Sequence, residues 1–170
     1  MHDEPILGAT RDASLAPCQP EKPLQDAIRE LVESEPFAVL CTQGNTQPYG
    51  SVVAFAFDRS LRYFVFATPM ATRKFRLLSE CERVALVVDN RGRFPDDMMR
   101  VEAISVTGRA QLLESGPEFE EWASLLEARH PYLQGFVRAP STALFRVEAI
   151  RFLHVTRFQE VRQWLTPVDG

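Results

Sequence analysis

The apolar runs in the first half of this chain are separated by connections too short for anything but hairpins. Phe37–Thr42 and Pro48–Phe57 flank a Gly44-Asn45 turn, and Asp58-Arg59-Ser60 alone separates the second run from Leu61–Ala67. A parallel pair needs a crossover of about a dozen residues or more, so runs this close pair antiparallel. The rest of the chain continues the pattern. Arg83–Asp89 is a continuous apolar strand and Asn90–Asp97 a polar loop. Val101–Leu113 reads as a long strand with a bend or bulge at Gly108, and Thr142–Glu148 and Ile150–Trp164 supply the last strands.

Helical segments are few and short. Leu24, Ala27, Ile28, Leu31 and Val32 recur at helical spacing, as do Phe119, Trp122, Ala123 and Leu126 after Gly116-Pro117. A short helix is expected around Ala71–Glu80 and a helical piece over His130–Val137, stopped by Pro140. The regular alternation of strand and helix that builds a parallel sheet is missing. The expected fold is mainly β (α+β): an antiparallel, closed or partly split barrel with flanking short helices. Pro5, Pro17 and Pro20 and the lack of an apolar period mark residues 1–22 as a flexible arm, which leaves one domain over 23–166.

Composition narrows the function classes. With 45% apolar residues in 170 the chain can bury a real core. A net charge of −4 argues against a general nucleic-acid binder. No apolar run approaches the roughly 20 residues that span a bilayer, and the opening residues do not resemble a signal peptide. Cys18, Cys41 and Cys81 are far apart, as are His2, His130 and His154, so neither disulfides nor a metal centre is expected and a reducing cytoplasm fits.

The stretch with most chemical content is Thr68-Pro69-Met70-Ala71-Thr72-Arg73-Lys74. It places Arg73 and Lys74 in the first turn of the expected helix, where the macrodipole disfavours cations. Free N–H groups point out of the same turn, so an anion there would satisfy both, and phosphate is the natural candidate. Lys74 is one of only two lysines among 19 basic residues. A solvated helix face is the plainer alternative. No Gly-rich phosphate loop is present. The second strand also has two unlike faces. Gly50, Val52, Ala54 and Ala56 make a small-residue face that suits either a close-lying ligand or a packed helix.

The order of these motifs resembles the pyridoxamine 5′-phosphate oxidase-like, FMN-binding split-barrel family. The resemblance is carried by Gln47–Phe55, Phe64–Thr68, Thr72-Arg73-Lys74, Val84–Asp89, Val106–Ala110 and Val155–Val161. It implies a homodimer with FMN at the subunit interface. It further implies that Ser51, Val52 and Val53 contact the isoalloxazine through the backbone, and that Thr68, Thr72, Arg73 and Lys74 hold the phosphate. Asn90 is a candidate for a flavin edge or an ordinary turn residue, and Arg138–Ser141 a candidate to reach a partner's cofactor. The family's Arg-Leu-His-Asp-Arg substrate stretch is replaced by Arg157-Phe158-Gln159-Glu160-Val161-Arg162, so vitamin B6 oxidation is not implied. The function expected is an FMN-dependent oxidoreductase acting on a small planar substrate or nicotinamide donor. The alternatives are a flavin carrier or redox sensor without turnover, and a heme- or deazaflavin-binding barrel. Heme would require an accessible imidazole, which only His130 or His154 offers within the domain.

Overall fold

The computed structural model describes residues 22–44 and 47–166. The arm expected over residues 1–22, Lys22 apart, lies outside them, as does Asn45 of the first turn. The elements run α1 (Leu24–Ser34), β1 (Phe37–Gly44), β2 (Gln47–Phe57), β3 (Tyr63–Pro69), α2 (Arg73–Glu80), β4 (Arg83–Asp89), β5 (Ala103–Leu112), α3 (Pro117–Arg129), α4 (Gln134–Val137), β6 (Thr142–Thr156) and β7 (Glu160–Leu165). Every pairing is antiparallel. The strand order is β3-β2-β1-β4-β5-β6, and β6 returns to β3, so six strands close a barrel. The expected split barrel is the observed fold.

Strand alternation builds the interior. Leu40, Val53, Phe55, Phe64, Phe66, Leu86, Val106, Val147 and Phe152 point inward and are buried, with Ile28, Leu31 and Val32 of α1 packed against them. A second, smaller core lies outside the barrel. There Trp122, Ala123 and Leu126 of α3 cover Ala56, Val65 and Leu144, residues on the outer faces of β2, β3 and β6. The small-residue face of β2 is therefore divided. Ala56 lies beneath a helix, while Gly50 and Val52 are exposed.

Three expected strands differ from the structure in more than their end residues. The third begins at Tyr63 rather than Leu61, because Leu61 has φ 62° and closes the turn by donating its N–H to the Asp58 carbonyl at 3.1 Å. It also continues through Pro69, which stands opposite Thr142. The last two expected strands are divided differently. β6 runs unbroken from Thr142 to Thr156; its first half pairs with β3 and its second with β7. Its bend is a bulge rather than a break, since Gly108 faces Ala149 and Thr107 faces Arg151, which leaves Ile150 extra. A Cβ on Gly108 would come within 2.2 Å of the Glu148 carbonyl oxygen, so the bulge admits only glycine there. The true reversal comes later, at Arg157 and Phe158, whose φ angles are 46° and 67°. Neither residue is a type that signals a left-handed turn. No helix of the described residues is long and apolar enough to cross a membrane.

Candidate functional site

β2 is eleven residues long and β3 seven, and they pair only over Phe55–Phe57 with Phe64–Phe66. Below that, β3 swings away toward α2. The edge of β2 from Gln47 to Ala54 that faces away from β1 thus has no strand neighbour among the described residues, and its outward backbone groups are available. This is the split in the barrel. The N-terminus of α2 stands at its lower end.

Thr72 is the N-cap of α2. Its hydroxyl donates to the Pro69 carbonyl at 2.8 Å and accepts the Phe75 N–H at 3.2 Å. With that proton engaged, the 3.1 Å contact between Thr68 and Thr72 has Thr68 as donor. Thr68 is fully buried and so acts through Thr72. The N–H groups of Arg73 and Lys74 find no acceptor among the described residues. Neither side chain has a carboxylate partner there, and the first turn of α2 contains no acid. Arg73 is exposed and its guanidinium lies 5.0 Å above the Tyr49 ring, which fixes its direction from β2. Lys74 is half-buried, and burial lowers its pKa from the ordinary lysine value. Two unpaired cations and two free N–H groups converge at the positive end of one helix.

The β2 residues divide by parity. Val53 is buried in the core, so only its backbone is available. Ser51 also points inward, and its Oγ is buried without a partner among the described residues. Val52 faces outward and is 68% exposed. It lines a trough of about 230 Å³ with Phe37, Val39, Val87, Asp89 and Arg91. From Tyr49 to Ala54, which pairs with Phe37 at the trough, β2 climbs about 16 Å.

Asn90 is buried just after β4, between Asp89 and Arg91 of the trough lining. Its Oδ1 accepts the Glu102 N–H at 2.8 Å, and its own N–H donates to the Glu102 carbonyl at 3.1 Å. Only its amide NH₂ is left to donate outward. Arg138 is clamped by Glu127 at 2.7 Å and by Glu120, which holds it against α3. Both barrel histidines are buried and engaged. His130 Nε2 donates to the Phe55 carbonyl at 2.9 Å. His154 Nε2 meets Glu102 at 3.3 Å, and its Nδ1 accepts from Arg162 at 3.3 Å. Burial lowers the His154 pKa, Glu102 opposes that shift and Arg162 adds to it. Among the described residues no cluster of His, Cys, Asp and Glu could hold a metal ion. The Tyr49 platform and the free β2 edge were not anticipated from sequence. The length mismatch between the second and third apolar runs was the one available signal for the edge.

Comparison with known proteins agrees with the fold. Residues 24–156 match the family model described as pyridoxamine 5′-phosphate oxidase. The chain belongs to the pyridoxamine 5′-phosphate oxidase family. No curated protein matches the sequence. Among solved structures, a heme-binding protein from Mycobacterium smegmatis superposes with a TM-score of 0.73 at 14% identity. That match covers 81% of this chain but only 56% of the other, so this chain spans little over half of that protein. A Clostridium acetobutylicum protein related to general stress protein 26 gives 0.63 at 18% identity, covering 82% and 92% of the two chains. A FAD-binding protein from Mesorhizobium loti gives 0.63 at 15%, covering 76% and 90%. At these identities the likeness is one of fold. The same fold thus occurs in a protein described as heme-binding and in one described as FAD-binding.

Proposed function

We propose that this member of the pyridoxamine 5′-phosphate oxidase family is a cytoplasmic FMN-binding oxidoreductase that works as a homodimer. The observation that carries the reading is the pair Arg73 and Lys74, unpaired at the positive end of α2 beside two free N–H groups. A phosphate monoester supplies what that turn lacks: negative charge and several acceptor oxygens. Arg73 would offer a fork and Lys74 a point charge, with Thr72 holding the turn in place. The free edge of Ser51–Val53 supplies backbone donors and acceptors for the polar edge of a ring. A bound flavin contributes the acceptance of a hydride or of single electrons, and the protein's part is to hold and orient it.

The outer sheet face supports pairing of two copies. Phe37, Val52 and Ile150 are 50%, 68% and 45% exposed and lie on one bare side of the barrel with Val39 and Val87. Flavin is favoured over an imidazole-ligated heme because His130 and His154 are both engaged in buried hydrogen bonds. The absorbance spectrum of freshly purified protein tests the reading. Flavin bands, with FMN released on denaturation, are expected. A featureless spectrum that added FMN leaves unchanged would remove the cofactor assignment.

A further inference from the structure

At the opposite end of the barrel from α2, an open groove of about 610 Å³ lies between the Met98–Arg100 turn and the β6–β7 hairpin. Its lining carries four cations, Lys22, Arg100, Arg157 and Arg162, against two carboxylates, Glu102 and Glu160. That is a local excess of positive charge in a chain whose net charge is −4. Two of the cations are already neutralised. Lys22 pairs with Glu30, and Arg157 with Glu160 at 3.2 Å.

The other two are not. Arg100 lies 4.2 Å over the Phe94 ring, and among the described residues it meets no carboxylate within ion-pair range. Arg162 donates to the Lys22 carbonyl at 3.2 Å and to His154 Nδ1 at 3.3 Å, both uncharged acceptors when the imidazole is neutral. The imidazole is itself the bridge that keeps Glu102 from meeting Arg162 directly, since Glu102 takes the other ring nitrogen. The half-buried Arg162 guanidinium is thus oriented from below by a nearly inaccessible side chain and directed into the groove. Arg100 lines the same groove, held by an aromatic ring. Preorganised guanidinium groups with unused charge are what carboxylates and phosphates bind.

We propose that this groove is a binding site for a small dianion, a dicarboxylate or a phosphate monoester, with Arg100 and Arg162 as its two principal contacts. The site is separate from the α2 cradle and does not rest on the flavin reading. Met99 and Val161 add apolar contact area, and Thr156 a hydroxyl.

Calorimetric titration of the full chain with sulfate at low ionic strength tests the site, with succinate and phenyl phosphate as competitors. Saturable binding is expected, and it persists when the α2 cradle is removed as a second anion site. Arg100→Gln, an exposed change that leaves the fold intact, and Arg162→Gln should each weaken it by roughly tenfold. Arg73→Ala/Lys74→Ala should leave that affinity unchanged, which separates this result from the fate of the flavin site. Displacement by succinate assigns a dicarboxylate, and displacement by phenyl phosphate a phosphate monoester. The proposal is overturned if sulfate does not bind, if neither competitor displaces it, or if only the α2 double variant abolishes binding.

Discussion

Helices α2 and α3 both begin beside β-sheet, yet they treat their positive ends oppositely. In α3 the first turn carries Glu118 and Glu120, where the dipole favours acids, and each is paired, with Arg146 and Arg138 respectively. In α2 the first turn carries Arg73 and Lys74, where the dipole disfavours them by about 0.3–1 kcal/mol each, and no acid among the described residues answers either. The helix that covers the second core is electrostatically complete as it stands. On the proposed reading, the helix at the split is completed by an anion. A helix end arranged against its own dipole, in contrast to one whose acids are both paired, marks where a ligand is expected.

The largest effect should come from supplying the missing charge. FMN at a hundredfold excess over its Kd should stabilise the wild type by about 2.7 kcal/mol, measured as a rise in Tm. In the Arg73→Ala/Lys74→Ala variant that rise should vanish. An equal rise in both proteins would erase the distinction between the two helices. A smaller effect is expected from the cap. Thr72→Ala should cost about 1 kcal/mol of stability in denaturant melts and weaken FMN binding, and Thr72→Ser should restore both. At α3, Glu118→Gln should cost only about 0.3–1 kcal/mol and leave FMN affinity unchanged.

Proton linkage sharpens the same contrast. Burial holds the Lys74 pKa below its ordinary value, so the free site sheds its positive charge at a lower pH than a solvated lysine would. A bound anion favours the charged form. FMN affinity should therefore decline as pH rises through the lowered pKa. Lys74→Arg should move that decline to higher pH in a fluorescence titration, and an unchanged profile would show that Lys74 does not face the ligand.

Much of this was legible in the sequence because alternation and short connections are local signals. The antiparallel strands of the first half, and the glycine at the bulge, follow from residue type and connection length alone. The cation pair was likewise readable, since a helix start and its charges are adjacent in the chain. What stayed hidden depends on distant partners. Nothing near Tyr49 announces that Arg73 will lie over it. Nothing near Asn90 shows that its carbonyl will be taken by the Glu102 amide, twelve residues away. The β6–β7 reversal was missed because Arg157 and Phe158 adopt positive φ without being residues that favour it. There the strand pairing, and not local preference, sets the backbone.

The central claim is that the unpaired charge at α2 exists to hold a phosphate. Titration of FMN fluorescence against the wild type and the Arg73→Ala/Lys74→Ala variant tests it most directly. The account predicts saturable quenching by the wild type and an affinity at least about a hundredfold weaker in the variant, from the loss of two charge-assisted contacts. Equal affinity in the two proteins would contradict it.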